Sequence, residues 1–121
     1  MQPDDRTAAH LWHMSDALSR LARYVEGRTR TDMDTAELLE DGVVRRLTVL
    51  GEAAGRVGEA FRQRHPEIPW SSIVGLRVTH RYDRVNLDEV WTVATEDAPR
   101  LLLQVQALLA ELEGDPGSAV S

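Results

Sequence analysis

The sequence has no cysteine, no lysine, a single phenylalanine and no long apolar run. Without cysteine, disulfides, zinc thiolate sites, iron-sulfur clusters and thiol nucleophiles are all excluded. No segment approaches the roughly 20 apolar residues that span a bilayer. The opening, MQPDDRTAAHLWHM, is acidic where a secretory leader is basic, so a soluble, cytoplasmic protein is expected. Fourteen basic residues stand against twenty acidic ones, a net charge of -6, so any attraction to nucleic acid has to be local. That all fourteen are arginine suits forked phosphate recognition, but the codon bias of a GC-rich genome accounts for it more simply. At 121 residues one domain around one core is expected.

What is present is helical periodicity. Leu11, Met14, Leu18, Leu21 and Val25 recur at the three-and-four spacing of one buried helical stripe ending near Gly27. GRTRTDMDT reads as a polar connection, with Asp34 or Thr35 placed to cap the next helix. Leu39, Val43, Leu47, Leu50, Ala54, Val57 and Phe61 then form a near-heptad seam, predicting one long central helix. Four glycines, Gly42, Gly51, Gly55 and Gly58, fall within that seam at about 1 kcal/mol each against alanine, and a small-residue face admitting another backbone would compensate. The two prolines of HPEIPW break the helix. Ser71 and Ser72 are candidate caps for a short helix bearing Ile73, Val74 and Leu76. Asn86 and Glu89 have capping-box spacing, with Val90, Trp91 and Ala94 behind them. Pro99 suits the first turn of a last helix, capped near Asp97 and carrying Leu101, Leu102, Val105, Leu108, Leu109 and Leu112. No segment alternates with period two, so the expected fold class is all-α, a bundle of four to five helices with a long central helix. Residues 4–113 are expected to form the helical domain and 114–121 a flexible C-terminal tail.

The chemistry concentrates in GLRVTHRYDRVNLDEVW, residues 75–91, where Arg77, His80 and Tyr82 lie within six positions. An arginine forks onto phosphate oxygens and a histidine moves protons near neutral pH, which together suit phosphoryl chemistry. On one helix, Arg77 and His80 would be about 60° apart in rotation and about 4.5 Å apart along the axis, close enough to address one phosphate. A solvated helix end carrying the same residues is the plainer alternative. His10 and His13 share a helical face, yet no third metal ligand can be placed, so interface or surface histidines are preferred and no metal site is expected. Glu52 reads as a structural ion-pair partner for an arginine near a dimer axis, and Trp70 and Trp91 read as packing.

VVRRLTVLGEAAGRV, HPEIPWSSIVGLR, HRY and LDEVW, in that order, resemble the HepT-like family of HEPN-domain proteins over about residues 8–112. The resemblance implies a HEPN-like bundle, homodimeric, acting as the toxin of a type VII-like toxin-antitoxin module. It implies a metal-independent endoribonuclease without cofactors, whose RNA substrate is cleaved at a site containing Arg77 and His80. The antitoxin it implies is a minimal nucleotidyltransferase, MNT, that neutralises the toxin by adenylylation of a tyrosine, here Tyr82. Arg81 and Arg84 would add RNA-binding charge. In one respect the sequence departs from the family: only Val78 and Thr79 separate arginine from histidine, where relatives usually have four to six residues. Two fewer residues rotate a helix by about 200°, so a nuclease-inactive scaffold that only binds the nucleotidyltransferase is the alternative.

Overall fold

A computed structural model describes residues 6–79 and 86–114. Its elements in chain order are α1 (Thr7–Val25), α2 (Asp32–Thr35), α3 (Glu37–Arg56), α4 (Glu59–Arg64), α5 (Trp70–Thr79), α6 (Leu87–Thr92), a π-helical segment (Val93–Asp97) and α7 (Ala98–Gly114). There is no strand among the described residues. The protein is thus an all-α bundle whose main members are α1, α3, α5 and the composite rod from α6 to α7. The centre is α3, packed against α1 on one side and α5 on another, while α1 also packs on α7.

The α1 stripe buries as its spacing predicts, with Leu11, Met14, Leu18 and Leu21 all inside. Gly27, at φ +72°, ends the helix in the left-handed region where a side chain would be strained. The chain returns antiparallel: Tyr24 lies over Gly42, where an added Cβ would stand 3.3 Å from the ring. That close approach is the use of one of the seam glycines; Gly51 is buried and Gly55 half-buried along the same helix.

In three places the chain departs from the periodicity reading. The expected connection before α3 contains α2, which inserts Met33, fully buried, into the core. Asp32 accepts a hydrogen bond from the Thr29 backbone N–H at 2.8 Å and so closes the turn that starts α2. The residue capping α3 is Ala36, with no side-chain cap, rather than Asp34 or Thr35. The long seam also does not run to Phe61: Val57 and Gly58 are extended, and α4 begins afresh at Glu59. The Arg62 guanidinium donates to the Val57 carbonyl at 3.0 Å, satisfying the broken end. Both Val57 and Phe61 still reach the core, because the bend rather than helical continuity aims them there.

The third departure is at Pro99. No cap separates two helices there; α6, the π segment and α7 are continuous, and the Ala98 N–H bonds to the Val93 carbonyl five residues back. Proline lacks an N–H and its ring crowds the carbonyl four residues earlier. One widened turn just before it accommodates both defects. The Thr95 hydroxyl donates to the Trp91 carbonyl at 2.7 Å within that turn.

Candidate active site

The segment that carries Arg77 is positioned by the HPEIPW bend. The Trp70 indole N–H donates to the His65 carbonyl at 2.9 Å, and its ring meets Phe61 edge-on at 6.5 Å. His65 in turn lies 4.5 Å from the Phe61 ring. Ile68 is buried between the two prolines, and α5 departs with the Ile73 N–H bonded to the Pro69 carbonyl at 3.1 Å. Ser71 and Ser72 therefore sit exposed inside the first turn rather than capping it. Trp70 is buried and Trp91 half-buried against the core, so both pack as expected.

From this anchor α5 runs helically through Thr79, which places the backbone of Arg77 in its last turn. His80, Arg81, Tyr82 and Arg84 lie outside the described residues, and of Arg77 only the backbone is described. The far side of the motif is tied down separately. The Asn86 side chain accepts from the Glu89 N–H at 3.1 Å, the cap that its spacing predicts. Arg30, from the loop before α2, donates to Asp88 at 2.7 Å and to Asp34 at 3.1 Å. This contact spans 58 residues and has no local signature, so no periodicity or capping rule could have found it. Exposed pairs of this kind contribute only about 0.2–1 kcal/mol, so its value lies in position. The Arg77–Val85 stretch is thus entered from a helix locked by Trp70 and left at a capped helix start.

The remaining candidates lie elsewhere. Glu52 is exposed on α3, with no ion pair within the chain among the described residues. His13 is exposed and stands edge-on to Trp12, itself 54% exposed, with ring centroids 5.4 Å apart. Partial burial, then the charges of Arg56, His13 and Arg6, hold the His10 imidazole below its ordinary 6.5. The unfolded chain accordingly binds more protons there than the folded one as pH falls below about 6.5, so this contribution to stability is present above that pH and lost on acidification. His10→Gln is expected to flatten the fall in Tm between pH 7 and pH 5. An unchanged slope would show that other groups set it.

The backbone of Arg77 thus lies in the last turn of α5, and the sequence continues from there to His80. The sequence profile described as Ribonuclease HepT-like matches residues 14–108. The chain therefore belongs to the HepT-like ribonuclease family. It is similar to a candidate RNase of Caldanaerobacter subterraneus subsp. tengcongensis, 30% identical over 102 residues that cover 83% of this chain and 91% of that protein. It is also similar to a gamma-glutamylcyclotransferase and candidate RNase of Methanocaldococcus jannaschii, 28% identical over 106 residues. There the match covers 86% of this chain but 48% of the relative, so the chain spans about half of that protein's length. A protein named "Probable ribonuclease HepT" from Thermococcus cleftensis is 36% identical over 61 residues, 49% of this chain and 56% of that one. No solved structure matches significantly. No helix among the described residues is long and apolar enough to cross a membrane.

Proposed function

We propose that this chain is a metal-independent endoribonuclease, the toxin of a two-gene module, and that it acts as a homodimer. The observation that carries the reading is the family match over residues 14–108, which includes Arg77 and His80. The nucleophile is the RNA's own 2'-hydroxyl. Its oxygen bonds to the adjacent phosphorus while the bond from phosphorus to the 5'-oxygen breaks. His80 of one protomer removes the 2'-proton and His80 of the partner subunit protonates the departing 5'-oxygen, leaving a 2',3'-cyclic phosphate and a 5'-hydroxyl. Arg77 holds the non-bridging oxygens as negative charge builds on them. Arg81 and Arg84 supply positive potential in an otherwise acidic chain. Transfer of AMP to the Tyr82 hydroxyl by a partner nucleotidyltransferase puts a bulky anion beside the phosphate site and switches it off.

A single 2'-deoxy nucleotide at the cleavage position should abolish cutting there, and equal cutting would sink this mechanism. Co-expression with a minimal nucleotidyltransferase, followed by peptide mass mapping, should find AMP on Tyr82; a consistently unmodified tyrosine would remove the covalent switch. One feature favours a second reading, a nuclease-inactive scaffold that only binds the nucleotidyltransferase. Val78 and Thr79 are the sole residues between Arg77 and His80, two fewer than the motif usually has.

A further inference from the structure

A groove of about 410 Å³ opens between α5, the π segment and the start of α7. Leu50, Ile73, Leu76, Ala98 and Leu101 form its apolar floor, and Glu67, Asp97, Arg100 and Gln104 stand around it. It adjoins a smaller cleft that shares Leu76 and Val93 as walls. Its size and its few polar groups over an apolar floor are those of a small-ligand site. Its charge is wrong for phosphate, since two carboxylates and one guanidinium line it. Glu67 is engaged by the His65 ring at 3.3 Å, and its carbonyl accepts a long 3.4 Å bond from Gln104. The exposed Asp97 side chain makes no hydrogen bond or ion pair among the described residues.

Position along α5 supplies the other half of the argument. Ser72, Ile73 and Leu76 line the groove, and Arg77 is the next residue. From Ile73 to Arg77 the helix rises about 6 Å, a span comparable to that between the base and the phosphate of one nucleotide. We propose that this groove is a base subsite for the RNA, holding the nucleobase next to the cleaved bond and selecting guanine through Asp97. This rests on the ribonuclease reading above. Guanine fits because its N1–H and its 2-amino group can donate two parallel bonds to one carboxylate, while its flat ring covers the apolar floor. Uracil offers one N–H flanked by two carbonyls, which a carboxylate repels.

The four nucleosides, titrated into the isotope-labelled full chain and followed through backbone amide shifts, test this without any cleavage. Saturable shifts at Ile73, Leu76, Asp97, Ala98, Arg100 and Leu101 are expected, with guanosine bound most tightly. Asp97→Asn, which keeps the shape, should weaken guanosine by about tenfold and leave uridine unchanged. Ser72→Trp, at an exposed position on the groove wall, should block all four while far-UV circular dichroism stays the same. Absence of saturable shifts with every nucleoside, or equal affinity for all four, overturns the proposal. So does a Ser72→Trp variant that changes the sedimentation coefficient while the unaltered chain binds no nucleoside, because the groove is then a protein interface. If Ser72→Trp fails to fold, Asp97→Asn decides. Nucleoside binding without RNA cleavage would remove the ribonuclease reading and keep the pocket, whereas cleavage without nucleoside binding would remove the pocket alone.

Discussion

His80→Ala is expected to lower kcat for RNA cleavage by about 10²–10⁴-fold, because in the proposed mechanism it deletes the group that takes up the 2'-proton and, across the proposed dimer, the one that protonates the leaving oxygen. Arg77→Gln is expected to cost about 10²–10³-fold, the usual effect of removing a donor aimed at charge that develops in the transition state. The double variant should be little worse than the more damaging single one if, as proposed, the two side chains act on one phosphate and fail as a unit. Arg77→Lys should not restore full activity: a lysine keeps the charge but loses the planar fork. If both act on substrate rather than in packing, Tm should stay within about 3 °C of the unaltered chain. A fall in activity accompanied by a large fall in Tm would point to a structural role instead. These comparisons need steady-state cleavage of a fluorogenic RNA together with a thermal melt for each variant.

Trp70→Ala is the substitution expected to damage the fold most. It removes a buried ring in contact with Phe61 and leaves the His65 carbonyl without its indole donor. Large aromatic truncations of this kind cost about 3–5 kcal/mol, and the lost hydrogen bond belongs to the same total. For a chain of this size that is a Tm drop on the order of 10–20 °C. Trp70→Phe keeps one ring in the core while losing the donor and part of the indole's volume, at about 1–3 kcal/mol. Because this tryptophan sets the departure angle of α5, Trp70→Phe should also reduce cleavage more than its stability loss alone accounts for. Urea melts of both variants, with activity measured well below each midpoint, check this.

The parts of the fold that were legible in the sequence are those governed by local periodicity and capping. The α1 stripe, the Asn86 cap and the proline break after α4 all follow from spacing or from backbone chemistry that acts within a few residues. What could not be read there depends on contacts between distant segments. The turn of α2 carries one apolar residue, Met33, too few to generate a period, and its place in the core is defined by packing against α3. The seam from Leu39 to Phe61 keeps its spacing across the bend at Val57 and Gly58, because a bend that returns both apolar side chains to the core leaves the pattern intact. Pro99 was legible as a disturbance of the helix, but not the form it takes; a π turn and a capped break satisfy the same missing N–H. At the site, residue types and spacing could only nominate Arg77 and His80, whereas the Arg30 to Asp88 tie and the groove beside Leu76 arise from the tertiary arrangement.

The central claim is that Arg77 and His80 cleave RNA through its 2'-hydroxyl without a metal. The most direct measurement is the end-group chemistry of RNA incubated with the purified, unadenylylated chain in excess EDTA, beside His80→Ala. Fragments ending in 2',3'-cyclic phosphate and beginning with 5'-hydroxyl, formed by the unaltered chain and lost in the variant, are the expected result. Intact RNA from a protein whose mass confirms an unmodified Tyr82, or fragments bearing 5'-phosphate, would contradict it.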